Sequence, residues 1–285
     1  MPVPERGSAW RVVVVTRILP VALGFHAALR EAGHDPVALL TIRDGDGRYG
    51  GFDLGGMLDE LPPDLDILMP ARRASIAALL ESVRPDLVVC MGFPWKIPID
   101  ALAVPRLGWI NGHPSLLPHH RGPVPVAWAI RDGEDEFGVT FHRMDAKLDT
   151  GPILAQKAVP VGALVEPDEF YGRMGPVVIA VLREALANLA AGIEAAPQDG
   201  GDYQSFFTDE DAVLDFSRPA AEVHRLIWAW RFTIPGGELH GALAELEGGT
   251  VRVLASSLTE VEGATRIECA DAPLWLVKTE PVSPR

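Results

Sequence analysis

Three polar side chains of different chemistry stand in two short motifs of this chain. Asn111 and His113 belong to Asn-Gly-His-Pro-Ser-Leu-Leu-Pro at 111–118, and Asp149 belongs to Leu-Asp-Thr-Gly at 148–151. An amine that attacks a carbonyl carbon needs three groups nearby: a donor for the developing oxyanion, a group that transfers protons, and an acid that orients and charges an imidazole. Each residue alone fits an ordinary loop, so only the combination predicts a site.

The stretches that must position these residues alternate between strand-like and helix-like patterns. Strands are predicted at 11–16, 37–41, 86–91 and 107–110, and helices at 20–32 and 75–83, the second of which Ser75 is predicted to cap. Apolar, β-branched runs fit strands buried on both faces, and the alternation predicts an α/β fold with a Rossmann-like, mostly parallel sheet. Ligands of such sheets bind beyond the carboxyl ends of the strands. The strand at 107–110 would place Asn111 and His113 just past its end.

The turn after the first predicted strand lacks the glycines of a phosphate-binding loop. Neither G-x-G-x-x-G nor G-x-x-x-x-G-K-[ST] occurs there, so the fold class does not predict a dinucleotide or ATP site. Residues 43–64, rich in glycine and acidic side chains, are predicted to form an acidic loop. Cys90 and Cys269 stand apart from each other and from any metal-ligand spacing. We therefore expect a reducing, cytoplasmic compartment and no metal.

The second part of the chain predicts a smaller domain with short strands. A long helix at 167–193 and a Pro- and Gly-containing linker at 195–202 precede it, and Ser217 is predicted to cap a further helix. Strands are predicted at 239–246, 250–255, 265–269 and 274–279. Several short strands separated by turns favour a small, β-rich open barrel of the OB-like type. The predicted domains are therefore 1–195, catalytic, and 205–285, barrel-like.

Charge is the second informative property of the sequence. The 285 residues carry a formal net charge of −14, with 25 Lys+Arg against 39 Asp+Glu. Residues 201–285 contribute half of that excess, and neither half contains a basic segment. Because a polyanion is repelled by such a field, the charge argues against a nucleic-acid partner. No run of eighteen apolar residues occurs, so a membrane span is not expected.

The two motifs, together with Arg121-Gly122, Gly138-Val139-Thr140 and the continuation Pro152-Ile153-Leu154, resemble the signature of the formyltransferases that use 10-formyltetrahydrofolate. The resemblance is strongest between residues 86 and 154 and extends weakly from about 10 to about 282. It implies 10-formyltetrahydrofolate as formyl donor and Asn111, His113 and Asp149 as the catalytic set. It also implies that the C-terminal region is the domain that several formyltransferases append.

The segment at 92–98 resembles the family loop that holds the pterin ring. Its Phe93, Trp95, Lys96 and Ile97 combine apolar faces with many backbone amides, as a flat heterocycle requires. Packing within the connection is the alternative role of these aromatics. The pair Met144-Asp145 resembles the opposite wall of the same pocket, although Asp145 also fits an ordinary turn.

The roles within the catalytic set stay open at this point. Asn111 would donate its amide hydrogens to the oxyanion, and His113 would donate a second hydrogen bond and shuttle the proton. Asp149 would either favour the imidazolium or act through a water on the attacking amine. Arg121 would orient the active-site loop or meet an acidic group on the acceptor. His142 is predicted to be structural.

Four functions compete. The first is N-formylation of a small-molecule amine, such as an amino sugar nucleotide or hydroxyornithine. Methionyl-tRNA formylation explains the length, but the Gly-Thr-Pro turn and the basic loop of those enzymes are missing and the charge is unfavourable. A formyltetrahydrofolate hydrolase would need an N-terminal regulatory domain for which the chain has no room, and a non-catalytic binding protein would not need the whole catalytic set. No oligomeric state is predicted.

Overall fold

The computed structural model describes residues 9–43, 54–160, 165–233 and 241–282. Its larger sheet has seven strands in the order β3-β2-β1-β4-β5-β6-β7. Strands β1 to β5 pair in parallel, whereas β6 and β7 are antiparallel to their neighbours. The seven strands are β1 Arg11–Val15, β2 Asp35–Leu40, β3 Asp66–Leu68, β4 Leu87–Cys90, β5 Trp109–His113, β6 Glu136–Arg143 and β7 Ile153–Pro160. The predicted Rossmann-like, mostly parallel sheet is confirmed.

Helices cover both faces of this sheet and continue into the C-terminal region. They are α1 Leu19–Glu31, α2 Leu54–Glu60, α3 Ile76–Val83, α4 Ile99–Leu102, α5 Pro125–Asp132, α6 Pro167–Ala190, α7 Asp209–Ala212 and α8 Ala220–Ala229. Proline near the first position begins α1, α5 and α6, where its fixed φ suits a helix and its missing N–H is not needed. Helix α2 lies inside the predicted acidic loop at 43–64, of which residues 44–53 lie outside the described residues.

Alternate residues of the central strands face two different cores. Val12 and Val14 of β1 join the cluster beneath α1, α5 and α6, whereas Val13 and Val15 join the cluster beneath α3 and α4. All four valines are at most 1% exposed. Because side chains alternate along a strand, a continuous apolar run is what a sheet covered on both faces requires.

A second, antiparallel sheet follows in the order β10-β11-β9-β8. Its strands are β8 Ala242–Leu246, β9 Gly249–Ser257, β10 Thr265–Glu268 and β11 Pro273–Pro281. Helix α8 covers one face, where Val223 and Ile227 pack with Leu274 and Leu276 of β11. This is the predicted β-rich C-terminal sheet. The boundaries 1–195 and 205–285 stay a prediction.

Three local predictions were wrong in their details. The strand predicted at 107–110 runs to His113, because β6 pairs with it in antiparallel register as far as His113↔Thr140. Asn-Gly is a common turn pair, so the sequence pattern ended this strand too early. Neither serine caps a helix with its side chain. Ser75 stands directly before α3 but has helical dihedral angles and makes no side-chain cap bond. Ser217 donates to Asp215, and α8 begins after Pro219.

Candidate active site

Strand β5 aligns Asn111 and His113 on one face, since they are two residues apart and side chains alternate. The antiparallel register places Asn111 opposite His142 and His113 opposite Thr140 of β6. Directly opposed residues of two strands have neighbouring side chains. The four side chains therefore share one face of the sheet, next to the carboxyl ends of the parallel strands.

Asp149 reaches this face from the loop between β6 and β7. Its backbone has φ of 56°, in the left-handed region, and its side chain is 13% exposed. Gly151 permits the loop to fold back, because a Cβ there would lie 1.9 Å from the Arg143 carbonyl oxygen. The Asp149 Oδ2 atom accepts a hydrogen bond from the Gly122 N–H at 3.1 Å, which ties the loop to the segment after β5.

One carboxylate oxygen of Asp149 lies close to the other three side chains. Asp149 Oδ1 lies 3.7 Å from His113 Nδ1 and 3.6 Å from His142 Nε2. The Asn111 amide nitrogen donates to the same oxygen at 3.4 Å and lies 3.2 Å from His142 Nε2. His113 is 4% exposed and His142 is 2% exposed. The structure thus brings the three predicted residues together in a nearly enclosed site and adds a second imidazole.

Backbone carbonyls fix which nitrogen of each imidazole carries a hydrogen. His113 Nε2 lies 2.9 Å from the carbonyl oxygen of His120, and His142 Nδ1 lies 2.8 Å from that of Arg143. A carbonyl only accepts, so each of these ring nitrogens donates. In neutral imidazoles, His113 Nδ1 and His142 Nε2 are therefore the atoms with lone pairs, and both face Asp149.

Burial and the carboxylate act in opposite directions on the imidazole. Burial lowers the pKa of His113 below 6.5, and this outweighs the raising effects of the Asp149 charge and the His120 carbonyl. For Asp149, burial raises the pKa, but His113, His142 and the Gly122 N–H together hold it below 3.8. Above pH 6.5 the site thus contains an ionised carboxylate and a neutral His113 that can accept a proton at Nδ1.

Four of the six residues predicted to hold the folate lie on the neighbouring loop at 92–98, and Met144 and Asp145 follow β6. Cys90 at the end of β4 pairs with Asn111, so the segment at 92–98 leaves the sheet beside the cluster of Asn111, His113 and Asp149. Phe93 and Trp95 meet edge to face with ring centroids 5.9 Å apart, and both pack with Met144 against the cluster that contains Ile97. These four side chains form one apolar wall, consistent with either the pterin-binding or the packing interpretation.

The two polar residues of that prediction differ from the apolar four. Lys96 is exposed on the loop surface. Asp145 is also exposed and accepts hydrogen bonds from Thr150 Oγ1 at 2.9 Å and from the Lys147 N–H at 2.9 Å. Asp145 therefore shapes the turn that leads to Asp149. Its contact with a folate stays a prediction.

Two residues of the site were not identified from the sequence. His142 was predicted to be structural, yet it contacts both Asn111 and Asp149. The β5–β6 register that brings it there depends on pairing that a single sequence does not display. Gln198, in the predicted linker, donates to the backbone carbonyls of Asp149 and Gly151. No motif marks Gln198, because its partners lie far away along the chain.

Metal clusters and membrane-spanning helices are both absent from the described ranges. Among the residues that the structure describes, no group of three or more His, Cys, Asp or Glu side chains is placed to hold a metal ion. Within the same ranges, none of the helices has both the length and the apolar character needed to cross a membrane.

Known proteins resemble this chain in sequence and in fold. Residues 68–186 match the family model described as Formyl transferase. A methionyl-tRNA formyltransferase from Pseudomonas fluorescens is 35% identical over 244 residues, which cover 83% of this chain and 75% of that enzyme. HypX from Aquifex aeolicus in complex with tetrahydrofolic acid is 18% identical, with a TM-score of 0.66. That match covers 95% of this chain and 44% of HypX, so the chain spans less than half of HypX.

A shorter solved structure resembles the chain over most of both lengths. A 4-N formyltransferase from Francisella tularensis has a TM-score of 0.64 at 18% identity, covering 84% of this chain and 94% of that protein. Identities this low show a shared fold, whereas the family rests on the sequence relatives. With 35% identity across three quarters of a methionyl-tRNA formyltransferase, the chain belongs to the 10-formyltetrahydrofolate-dependent formyltransferase family and is an N-formyltransferase.

Proposed function

We propose that this enzyme transfers the formyl group of 10-formyltetrahydrofolate to the amino group of a small molecule, such as an amino sugar nucleotide or hydroxyornithine. The observation that carries the choice of acceptor is the net charge of −14. Binding to transfer RNA depends on lysines and arginines that neutralise phosphates. A strongly acidic protein needs a local basic surface to achieve this.

Several arginines of the C-terminal region are already paired with carboxylates and so do not form a free basic surface for phosphates. Three of them form ion pairs with carboxylates of the protein itself: Arg218 with Glu222, Arg231 with Glu166 and Arg266 with Glu268. To meet a phosphate, each would first have to leave its glutamate. Residues 201–285 also carry twice as many acidic as basic side chains. Both facts favour a small acceptor.

Asn111, His113 and Asp149 act as one set in this proposal. The bound donor supplies an electrophilic formyl carbon. The Asn111 amide donates a hydrogen bond to the formyl oxygen as negative charge develops there. His113 takes the proton of the attacking amine at Nδ1, because its Nε2 hydrogen is held by the His120 carbonyl. Asp149 stabilises the imidazolium, and His113 then returns the proton to the departing folate nitrogen.

The apolar wall beside the catalytic cluster fits the flat ring of the donor. Phe93, Trp95, Ile97 and Met144 would contact its faces, and the backbone amides of 92–98 would meet its polar edge. Lys96 and Asp145, both exposed, would lie at the rim of that pocket. These six residues are proposed as the folate-binding set.

Known proteins support two different acceptors. A Mycobacterium tuberculosis protein described as a likely sugar N-formyltransferase has the same fold and favours an amino sugar. The sequence relative from Pseudomonas fluorescens is a methionyl-tRNA formyltransferase, and its 35% identity makes methionyl-tRNA the second candidate acceptor. Hydrolysis of the donor by water is the third candidate reaction.

An acceptor panel tests the proposal. The enzyme is incubated with 10-formyltetrahydrofolate and, separately, amino sugar nucleotides, hydroxyornithine, methionyl-tRNA or no acceptor, and release of tetrahydrofolate is measured. We expect the highest kcat/KM with a small amine, weakly dependent on salt. Preferred formylation of methionyl-tRNA, falling steeply as salt rises, would replace the small acceptor by RNA. Equal release without an acceptor would identify a hydrolase. Asp149→Asn serves as the inactive control.

A further inference from the structure

The segment between α6 and α7 is attached to the active-site loops. Ala196 forms a two-bond antiparallel bridge with Ile153 at 2.7 and 2.8 Å, directly after the Asp149 loop. Further on, the Gln204 N–H donates to the Arg121 carbonyl at 2.8 Å. The close approach needs a glycine at 122: with φ of 125°, a Cβ there would lie 2.0 Å from the Gln204 carbonyl oxygen. This segment therefore forms one side of the site.

Gln198 is the side chain of this segment that reaches the catalytic loop. Its Oε1 atom accepts from Arg121 Nε at 3.1 Å and from Arg121 Nη2 at 2.7 Å. Its Nε2 atom donates to the carbonyl oxygens of Asp149 at 3.0 Å and Gly151 at 2.6 Å. Since guanidinium groups only donate and carbonyls only accept, the amide can take only this orientation. All four hydrogen-bonding positions of the side chain are used.

These contacts stabilise an unfavourable backbone conformation. A non-glycine residue in the left-handed region, such as Asp149 at φ 56°, is uncommon and costs roughly 1–3 kcal/mol unless its surroundings support it. Gln198 binds the carbonyl of that residue. Gln198 also binds the Arg121 side chain. The next residue, Gly122, donates its N–H to the Asp149 carboxylate. One side chain thus supports both the backbone and the carboxylate of Asp149.

We propose that Gln198 is a positioning residue for formyl transfer, which holds the Asp149 carboxylate against His113 and Asn111. This inference rests on the role proposed above for Asp149. Errors of about 1 Å in the placement of a catalytic group reduce turnover on the order of a hundredfold. We expect loss of the two carbonyl contacts to lower kcat about 10- to 100-fold, with the KM values for donor and acceptor changing less than about threefold.

The variant Gln198→Glu separates the two halves of the contact. Glutamate has the same length and still accepts from Arg121, but when ionised it cannot donate to the carbonyls of Asp149 and Gly151. Asn188→Asp is the matched control, because Asn188 also donates to a backbone carbonyl, that of Leu154 in β7, away from the cluster. Gln198→Met, uncharged and of similar length, removes the same donors without adding a carboxylate that would raise the His113 midpoint, so the titration is read from this variant. It also replaces Gln198→Glu in the kinetics if the glutamate variant does not fold.

Two measurements are made on each variant. The first is kcat and KM with the acceptor identified by the panel. The second is the titration of the His113 ring by NMR, which needs neither donor nor acceptor and so remains informative if the panel finds no acceptor. Asp149, His142 and His120 are the titratable groups that act on this ring. If the carboxylate moves away, the titration midpoint of His113 falls.

The outcomes are distinct. A lower kcat with an unchanged KM in Gln198→Glu and a lower His113 midpoint in the uncharged Gln198→Met, with neither change in Asn188→Asp, would support the proposal. Retention of kcat within about twofold with an unmoved midpoint would overturn it. A raised KM with unchanged kcat would also overturn it, because that pattern indicates a residue that binds substrate in the ground state. An inactive wild type with a shifted midpoint in the variant would reject the proposed function and keep the positioning role.

Discussion

The two sheets of this enzyme use their polar residues differently. In the seven-stranded sheet, Asn111, His113 and His142 lie on the strands themselves, at most partly exposed, and converge on one carboxylate. In the C-terminal sheet, three of the four residues of β10 and the last five residues of β11 are exposed, and charged pairs such as Arg266 and Glu268 face solvent. Exposed ion pairs contribute about 0–1 kcal/mol each and perform no chemistry by themselves.

The difference indicates where substitutions should affect turnover and where they should affect only folding. The predicted site residues all lie in the first 150 positions, next to the carboxyl ends of parallel strands. The C-terminal region contributes a core beneath α8 and contacts with α6, such as the Phe170–Phe232 ring pair at 5.3 Å. Variants in the two sheets therefore test the comparison directly.

Loss of a catalytic group should have the largest effect. We expect Asp149→Asn and His113→Ala each to lower kcat for formyl transfer at least about a hundredfold, as is typical when a general acid or base is removed. Circular dichroism and thermal unfolding check that each variant folds. Near wild-type turnover in either folded variant would remove that residue from the catalytic set.

Removal of the second imidazole should have an intermediate effect. His142→Phe keeps a ring of similar shape but removes the Nε2 atom that lies 3.2 Å from the Asn111 amide and 3.6 Å from Asp149. We expect kcat to fall about tenfold, since the amide and the carboxylate lose an orienting partner without losing their own chemistry. Steady-state kinetics measure the change. A fall as large as that of His113→Ala would make His142 an equal member of the catalytic set.

The pH dependence should show whether the buried His113 acts as a neutral base. Because the pKa of His113 in the folded protein lies below 6.5, the unfolded chain binds this proton first as pH falls. His113 therefore contributes stability above pH 6.5, which is lost as pH falls through 6.5 toward its folded pKa. With neutral His113 as the base, kcat/KM corrected for the fraction of uncharged acceptor amine should be constant above pH 6.5 and fall below it. A rate that rises on acidification through this range would require the imidazolium instead.

A core substitution in the C-terminal sheet should have the smallest effect on turnover. Leu274 is 0% exposed beneath α8, so Leu274→Ala should lower the free energy of unfolding by about 2–5 kcal/mol. Below the unfolding temperature we expect kcat to change less than about twofold. Urea unfolding and kinetics on the same preparation measure both quantities. A tenfold loss of kcat in the folded variant would connect the C-terminal sheet to the chemistry.

Patterns local in sequence predicted most of the fold. The valines of β1 and the apolar run of β4 indicated strands buried on both faces, and these strands form the centre of the sheet. The strand that carries the site was predicted too short, because Asn111 and Gly112 commonly form turns. Gly112 instead lets Phe141 pack across the strand: a Cβ there would lie 2.9 Å from its ring. That contact involves a residue far along the chain, so no local pattern contains it.

The site itself was predictable in part. The resemblance identified Asn111, His113 and Asp149, and the structure places them within contact of one another. Their catalytic roles and the folate-binding set stay predictions. The positions of His142 and Gln198 depend on strand register and on a loop that returns across the site. Residue type and local spacing do not reveal strand register or the path of a distant loop. His142 and Gln198 were therefore not identified from the sequence.

The segment between α6 and α7 is attached to the active-site loops, and this affects how chimeras of formyltransferases should be built. The predicted catalytic domain ends at 195, before Gln198 and Gln204, so a chain cut there would lose the contacts of both with the active-site loops. Phe207 packs between Trp128 of α5 and Trp230, which follows α8. The ring centroids are 4.8 and 5.3 Å apart, respectively. An exchange of C-terminal regions between formyltransferases should therefore join after Phe207, at the Thr208 capping box that begins α7.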